Sequence, residues 1–490
     1  MRRATLVSFF FSQLAYASFD MNNNMQQSYF HIINLEFDQA AFFIANEESQ
    51  NPENGFIPLH KNYIDFLTIL ITEDRSYFDS HKNLKDLRLD LLHKNDKSSA
   101  YYLYSKAEIS LQWALSRLKF EQYSTAIYEL VKAYKLLEEN QRRFPDFTLN
   151  NKGLGFIHAI LGAVPKNFHW ILHLTGLNGD ISLGLSELEA ILSDSRFTMY
   201  EDEVFFLLSF LQINLGNDDA IFQRYLDRIG DRYQDNLLLN FAASRLSHNL
   251  GQNDYCLKIL ENRPDNFGRI KFYYLDYLQA MSYLYMLDFK NAKQKFEYFL
   301  ANFKGLNYIK SANHKLAWIS FLQNNNANKE AYFERVILDG NTSIDEDKVA
   351  SKDAKRNNIS HPVLLKTRLL YDGGYYSLAL AEINQVEEAE IFLSTLNEIE
   401  YWYRLARIKS KLGNTEKQII EHYKEVLDKG AGSSSYYVPM SALQIGFIYE
   451  KKNDFQYARN YFNRCLSMSG FDYEKGIHQK ARAGLERLSN

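Results

Sequence analysis

The chain is poor in cysteine, proline and glycine, with 2 Cys, 7 Pro and 22 Gly among 490 residues. With only Cys256 and Cys465 available, a disulfide-built fold is excluded. The long separation of these two cysteines in the chain predicts two small buried side chains rather than a bridge. The scarcity of proline and glycine excludes a collagen-like or loop-rich disordered chain.

An excess of charge of either sign is also lacking. Lys and Arg number 56 against 60 Asp and Glu, and the pI is about 6.3. This balance excludes the basic field of a nucleic-acid-binding protein and gives no special attraction to anionic membranes. Aromatic residues, in contrast, are abundant, with 34 Tyr and 35 Phe. The chain can therefore bury a large core.

The N-terminus has the three parts of a secretory signal peptide. Arg2 and Arg3 precede an apolar run that ends at Ala15-Tyr16-Ala17. That run is shorter than the roughly 20 residues needed to span a bilayer. We expect residues 1–17 to be a signal peptide cleaved after Ala17, and a buried N-terminal helix is the alternative.

The hydrophobic pattern predicts an all-α chain, because apolar residues recur at spacings of three and four almost throughout. In two segments, small and aromatic residues recur at the same spacings. Within each segment, a turn separates the first two of these residues from the last three. The first segment contains Ala280, Tyr283, Ala292, Phe296 and Phe299. The second contains Gly446, Tyr449, Ala458, Phe462 and Cys465. Each segment is predicted to be a helical hairpin whose helices cross at the small residues.

This pattern resembles the tetratricopeptide repeat, with Trp-x2-Leu-Gly-x2-Tyr in the first helix and Ala-x3-Phe in the second. Trp402 and Leu405, followed by Gly413, match a further first helix and its turn. The resemblance implies an all-α solenoid of helical hairpins. We predict hairpins near 24–49, 98–143, 200–230, 236–262, 271–303, 309–338, 361–386, 397–429 and 436–467.

The predicted organisation after residue 17 has four parts and a final capping helix near 473–488. The segment 57–93 is expected to be helical but irregular, and a polar helix with a solvated charged face is expected at 345–357. The predicted parts are N-terminal hairpins at 18–150, an apolar helical insert at 151–199, repeats at 200–338, and repeats with the cap at 339–490.

Residues 151–192 depart from the repeat pattern. Gly153, Pro165, Gly176, Gly179, Asp180 and Gly184 punctuate three short apolar helices. The first is expected to end at Pro165, the second to follow at 166–174, and the third to begin after the Gly179-Asp180 cap. This region resembles the signature of the tetratricopeptide-39 family of animals and its fungal relatives, which is implicated in inclusion-body clearance. The resemblance implies an adaptor-like protein with no catalytic residues, although an export signal is foreign to those intracellular proteins. We expect the segment to be buried or to line a groove rather than to enter a membrane.

No motif for catalysis, cofactor binding or metal binding is present. Carboxylate pairs such as Glu47-Glu48 are predicted to lie on exposed helix ends. The nearest approach to a ligand group is formed by His158, His169 and His173, for which packing is the favoured interpretation. We therefore predict no catalytic residue, no metal site and no cofactor.

With catalysis, metal binding and cofactor binding not indicated, the function that remains is the binding of a partner on the protein surface. A tetratricopeptide superhelix presents the first helix of each hairpin on its concave face. Aromatic, Met and Arg side chains are enriched at interface anchors, and packing between hairpins is the alternative for each. The predicted partner-binding residues are Tyr277, Met281, Tyr285, Tyr403, Arg404 and Arg407.

The sequence thus favours a non-catalytic, exported scaffold that binds a protein or peptide partner, located in a bacterial periplasm or cell envelope. It is expected to bind no nucleic acid and to have no membrane span after signal cleavage. Three alternatives remain open: a glycan- or small-ligand-binding envelope protein, a cytoplasmic adaptor whose N-terminus resembles a signal, and an α/α-barrel hydrolase.

Overall fold

The structure is a computed structural model that describes residues 19–164, 176–177, 179–216, 218–265, 267–386 and 391–488. In these ranges the chain is helical and contains no strand. The α-helices are α1 (Asn23–Ile33), α2 (Phe37–Gln50), α3 (Phe56–Thr72), α4 (Arg75–His81), α5 (Leu84–Leu92), α6 (Ala100–Lys119), α7 (Tyr123–Arg143), α8 (Asn150–Gly162), α9 (Ile181–Ile191), α10 (Glu201–Leu215), α11 (Asp219–Ile229), α12 (Leu237–Asn249), α13 (Asn253–Glu261), α14 (Tyr274–Tyr285), α15 (Phe289–Asn302), α16 (Ile309–Leu322), α17 (Asn326–Leu338), α18 (Asp345–Arg356), α19 (Pro362–Asp372), α20 (Tyr376–Ile383), α21 (Thr395–Lys411), α22 (Glu416–Lys429), α23 (Tyr437–Lys451), α24 (Phe455–Leu466) and α25 (Glu474–Arg487).

The chain divides into two compact units. Unit 1 lies within Met1–Leu246, Glu261–Tyr273 and Phe303–Gly305, and unit 2 lies within Ser247–Leu260, Tyr274–Asn302 and Leu306–Asn490. This division is by packing, and the four parts anticipated from the sequence stay a prediction.

The predicted helical-hairpin fold is confirmed by the packing of consecutive helices. In the pair α23 and α24 of unit 2, a Cβ on Gly446 would lie 2.5 Å from a ring carbon of Phe462, so only glycine allows this crossing. In the pair α14 and α15, the small residues Ala280 and Ala292 are fully buried, as is Phe296. The spacing recognised in the sequence is therefore the spacing of the hairpin contacts.

The apolar insert in unit 1 contains a helix pair of its own. Helices α8 and α9 approach so closely that a Cβ on Gly184 would lie 2.3 Å from the carbonyl oxygen of Gly155. Helix α9 begins where predicted, because the Asp180 side chain accepts a hydrogen bond from the Leu183 N–H. Helix α8 ends at Gly162, three residues before the proline expected to terminate it. The expected middle helix lies outside the described residues.

One carboxylate at the start of unit 1 corrects the sequence analysis. Glu47 is fully buried rather than exposed on a helix end. Its carboxylate accepts hydrogen bonds from the side-chain amides of Asn22 (2.9 Å), Asn54 (2.8 Å) and Asn24 (3.1 Å). Burial alone would raise the pKa of Glu47, but these hydrogen bonds outweigh it and lower the pKa. The residue ties α1, α2 and the following loop together.

The core of unit 1 contains a buried ion cluster. The Lys152 ammonium lies 2.9 Å from Glu108 and 2.8 Å from Glu203, and all three side chains are largely inaccessible to solvent. Tyr63 donates a hydrogen bond to Glu203 at 3.0 Å, and Tyr29 donates another at 2.5 Å. Burial raises the pKa of Glu108, whereas the two carboxylates together raise the pKa of Lys152. Because every member is enclosed, the cluster is a structural element of the core.

Helix α18 in unit 2 buries an acidic side chain, although its polar sequence predicts a solvated face. Asp347 is fully buried, and its carboxylate accepts hydrogen bonds from the backbone N–H groups of Tyr308 (2.7 Å) and Ser311 (2.8 Å). The expectation of a solvated charged face is therefore wrong for this residue. Asp347 supplies the N-terminal cap that the first residues of α16 lack.

The predicted terminal cap and the state of the cysteines are confirmed. Helix α25 buries Ile477 and Ala481, and its Gly484 lies against Phe462 in the same way as Gly446 does. Both cysteines are buried, and neither forms a disulfide bond. Every helix in the described part of the chain is too short or too polar to span a bilayer.

Candidate functional site

The candidate site lies in unit 2 on three helices that each begin a hairpin: α16, α19 and α21. Its defining feature is that cationic side chains rest on aromatic rings. We call this set of residues the cation–aromatic lining; its members are Lys315, Trp318, Arg368, Tyr371, Tyr403, Arg404 and Arg407.

At one end of the lining two cations share one indole ring. The Nζ atom of Lys315 lies 3.6 Å from the ring centroid of Trp318, and the guanidinium carbon of Arg368 lies 5.2 Å from it. Trp318 itself is buried and makes an edge contact with His314 at 4.7 Å. The buried indole is therefore a fixed platform that orients both cations through the cation–π attraction.

At the other end, Arg407 lies between two tyrosines. Its guanidinium carbon is 4.1 Å from the ring centroid of Tyr371 and 5.7 Å from that of Tyr403. Tyr403 is buried, and burial raises its pKa to about 12 despite the nearby Arg407. The phenol stays neutral at physiological pH, so the contact is a cation–π contact and not an ion pair.

Arg404 differs because it already has an anionic partner. Its Nε donates to Glu400 at 2.7 Å, and a terminal nitrogen donates to the Tyr437 hydroxyl at 3.1 Å. Glu400 also accepts a hydrogen bond from Ser360 at 3.0 Å. Burial opposes the charge on Arg404, but Glu400 outweighs it and raises the pKa of the guanidinium. Arg404 is thus already paired with Glu400 inside the protein.

The lining is open to solvent although protein surrounds it. Arg368 keeps a side-chain exposure of 37%, and Lys315 and Arg407 are both half-buried. Yet burial, reinforced by the charge of Arg368, lowers the pKa of Lys315 to about 7. Lys315 is therefore partly desolvated, although water still reaches the lining.

Two carboxylates stand beside the cations. Asp372 approaches Arg368 at 3.5 Å, and Asp353 of α18 lies 3.6 Å from Nε2 of His314. Burial lowers the pKa of His314 well below its usual value, so this histidine is neutral. Its ring nitrogens have no hydrogen-bond partner among the described residues. The acids therefore balance part of the positive charge.

The structure places three of the six predicted residues in the lining: Tyr403, Arg404 and Arg407. Tyr277 lies elsewhere in unit 2, where it is buried and shares a hydrogen bond with Ser311 at 2.8 Å. Its burial favours packing between hairpins. Met281 and Tyr285 are half-buried on the same helix. The role of all six residues as partner contacts stays a prediction.

Sequence reasoning missed Lys315, Trp318 and Arg368. The first two lie three residues apart on an apolar helix, which is a usable signal for a cation–π pair on one face. Arg368 comes from a different hairpin, and only tertiary packing places it over the same indole. Of the histidines considered as ligands, His158 is described, and its Nδ1 lies 2.6 Å from a carboxylate oxygen of Glu187. His169 and His173 lie outside the described residues.

The described residues contain no group of three or more His, Cys, Asp or Glu side chains arranged to hold a metal ion. No family model matches the chain, and no curated protein matches it. The resemblance of residues 151–192 to the tetratricopeptide-39 family therefore stays a prediction.

Three solved structures are similar to this chain at low identity. The APC/C hetero-tetramer Cut9–Hcn1 is 10% identical and has a TM-score of 0.28, and 94% of this chain and 95% of that chain are covered. Yeast Tom70 is 12% identical and has a TM-score of 0.25, and the match covers 95% of this chain and 88% of that chain. The TPR domain of P58(IPK) is 13% identical and has a TM-score of 0.22, and the match covers 88% of this chain and 98% of that chain. At these scores the helical-hairpin fold rests on the chain's own helix packing.

Proposed function

We propose that the protein is a non-catalytic scaffold that binds a peptide segment of a protein partner along the cation–aromatic lining. The observation that carries this proposal is the state of Arg407. Its side chain is half-buried and held on the faces of Tyr371 and Tyr403, and no described carboxylate lies within 4.0 Å of its guanidinium. A cation fixed in place without a direct ion pair is suited to an external ligand.

The chemistry of the lining supports protein binding. Trp, Tyr and Arg dominate the energetic centres of protein interfaces. Because rings already hold Lys315, Arg368 and Arg407, little side-chain entropy remains to be lost when a partner binds. The half-buried Met281 and Tyr285 are candidates for an apolar extension of the same surface.

The alternatives fit the lining less well. A glycan needs free aromatic faces for stacking, whereas cations cover Trp318 and Tyr371. A hydrolase needs carboxylates that face each other across a cavity. Here Glu400 is committed to Arg404, and Asp372 approaches Arg368. Both observations favour a binding surface over an active site or a sugar platform.

We also propose that the protein is exported to a bacterial periplasm or cell envelope. The support is the sequence of residues 1–17, a basic start followed by an apolar run and an Ala-x-Ala site. Residues 1–18 lie outside the described part. Intact mass of the natively expressed protein tests this: a chain that starts at Ser18 supports export. A chain that retains Met1 in the cytosol contradicts it and favours an intracellular adaptor.

Selection from a random peptide library tests the binding function. The full chain is the bait, and the double variant Lys315→Gln/Arg407→Gln is the matched negative. Lys417→Gln, which changes an exposed lysine outside the lining, is the positive control. We expect peptides enriched on the wild type and on the control but not on the double variant. Equal enrichment on all three would contradict the proposal.

A further inference from the structure

The surroundings of Lys315 are those of a nucleophilic amine rather than of an ordinary surface lysine. The side chain is half-buried, its Nζ atom lies 3.6 Å from the ring centroid of Trp318, and no described carboxylate lies within 4.0 Å of it. The guanidinium carbon of Arg368 lies 5.2 Å from the same centroid. Burial and a neighbouring cation both favour the neutral form of an amine. A lysine in such a position is the type that attacks carbonyl groups.

The charges around this amine decide how much of it is neutral. Burial is the largest influence and Arg368 the next, and together they lower the pKa of Lys315 to about 7. Asp353 and Glu346 of α18 and Asp372 of α19 oppose this shift, as does the indole face, which attracts the ammonium. About half of the molecules therefore carry the unprotonated amine at pH 7, whereas an exposed lysine is more than about 99.9% protonated at that pH.

Two further polar groups accompany the amine. His314 precedes it in α16 and is almost fully buried, and its ring nitrogens have no hydrogen-bond partner among the described residues. Burial keeps this ring neutral, and burial also raises the pKa of the Asp353 carboxyl group, which lies 3.6 Å from Nε2 of His314. Buried polar atoms of proteins normally make hydrogen bonds. A neutral imidazole, a carboxyl group and an amine with shifted pKa values in one cluster indicate a site for a small polar ligand.

Arg368 determines which carbonyl compounds fit beside Lys315. Its Nε atom lies 3.5 Å from Asp372, but its guanidinium makes no hydrogen bond with any described residue. A guanidinium binds one carboxylate through two parallel N–H donors. Because Arg368 and Lys315 lie over one indole ring, the carboxylate and the carbonyl group of a shared ligand must be close together. They are on neighbouring carbon atoms in a 2-oxo acid, whose single negative charge is also less repelled by Asp353 and Asp372 than a higher charge would be.

We propose that, beyond binding a peptide, the protein captures a small 2-oxo acid as a Schiff base on Lys315, with Arg368 binding the carboxylate of the ligand. The amine nitrogen attacks the carbonyl carbon, and one of its protons moves to the carbonyl oxygen as the C–N bond forms. The C–O bond then breaks, and the oxygen leaves as water with the second proton of the nitrogen, so that a C=N bond remains. The exchange is reversible and needs no oxidant or reductant. The protonated imine has one positive charge, which the indole face of Trp318 stabilises as it does that of the ammonium.

Reductive trapping tests this proposal. The full chain is incubated at pH 7 with pyruvate and cyanoborohydride, which reduces an imine to a stable amine, and the adduct is located by intact mass and peptide mapping. We expect one adduct per chain, on Lys315, which Lys315→Met removes and Lys417→Met, a change of an exposed lysine, retains. Arg368→Gln should lower the yield at least about tenfold, as should acetone in place of pyruvate, because acetone lacks the carboxylate. The rate of acetylation by acetic anhydride should level off above about pH 7 for Lys315 but rise to about pH 10 for Lys417.

Three results would overturn the proposal. The first is a set of pyruvate adducts spread over exposed lysines without preference for Lys315. The second is equal labelling of Lys315 by acetone and pyruvate, and the third is an acetylation rate of Lys315 that follows pH as that of Lys417 does. None of these measurements involves a peptide, so they leave the proposed peptide binding standing whichever way they turn out. Circular dichroism and the melting temperature confirm that each variant is folded.

Discussion

The ammonium nitrogen of Lys152 lies 2.8 Å from a carboxylate oxygen of Glu203 in the interior of unit 1. Glu108 lies 2.9 Å from the same nitrogen. One ammonium thus separates two carboxylates that are both shielded from water. Tyr29 and Tyr63 donate hydrogen bonds to Glu203 and complete the cluster.

Replacing this lysine should therefore destabilise the protein strongly. Lys152→Met leaves two buried carboxylates without a cation, and we expect it to cost about 3–5 kcal/mol of folding free energy. Urea denaturation compares it with Lys417→Met, an exposed control expected to change stability by less than about 0.5 kcal/mol. A loss below about 1 kcal/mol for Lys152→Met would mean that the cluster is not an essential core element.

The close approach of α8 and α9 depends on glycine. In Gly184→Ala the new Cβ would lie 2.3 Å from the Gly155 carbonyl oxygen and 2.6 Å from the Ala159 nitrogen. Because backbone must move, we expect a loss of roughly 1–3 kcal/mol. Gly476→Ala in α25 is the matched control, since nothing lies within 4 Å of its Cβ. It should be neutral or stabilising by up to about 1 kcal/mol. Similar melting temperatures for the two variants would contradict the proposed packing.

The cap that Asp347 provides for α16 is testable in the same way. Asp347→Ala removes the acceptor of two backbone N–H groups, those of Tyr308 and Ser311, and should cost about 2–3 kcal/mol. The control, Asp345→Ala, changes a side chain that is 79% exposed in the same helical turn. It should cost less than about 0.5 kcal/mol. Equal melting temperatures for both variants would show that the cap does not contribute.

Lys315 should make stability depend on pH. Its pKa is about 7 in the folded protein and roughly 10.4 when unfolded, so between these values the unfolded state binds more protons. Stability therefore rises as the pH increases from 7 to 10. Lys315→Met should stabilise the protein below pH 7, by on the order of 1 kcal/mol given its partial exposure, and the gain should vanish near pH 10. Melting curves of both proteins at pH 6 and pH 10 check this, and a gain that does not depend on pH would contradict it.

The fold was largely predictable because hairpin contacts are local. Small residues such as Gly446 and Ala458 stand at fixed sequence spacings from Phe462. This spacing predicts both where the two helices of the hairpin cross and where the turn between them lies. Burial of polar residues was not predictable in this way. Glu47 and Asp347 look like surface acids, and only the groups brought to them by folding, side-chain amides and a helix N-terminus, explain their burial.

The candidate site was predictable only in part for the same reason. Tyr403, Arg404 and Arg407 lie on one recognisable first helix, so the residue types expected at an interface pointed to them. Lys315 and Arg368 share Trp318 across two hairpins, and α18 contributes Asp353 to the same surroundings. Contacts between residues of different hairpins cannot be predicted from the spacing of residues in the sequence.

The most direct test of peptide binding at the lining is hydrogen–deuterium exchange of the full chain with and without a selected peptide. We predict that protection on binding concentrates in α16, α19 and α21, and that α22, the second helix of the hairpin that α21 begins, exchanges as before. Protection confined to α22 or to unit 1, with no change in α16, α19 and α21, would contradict it.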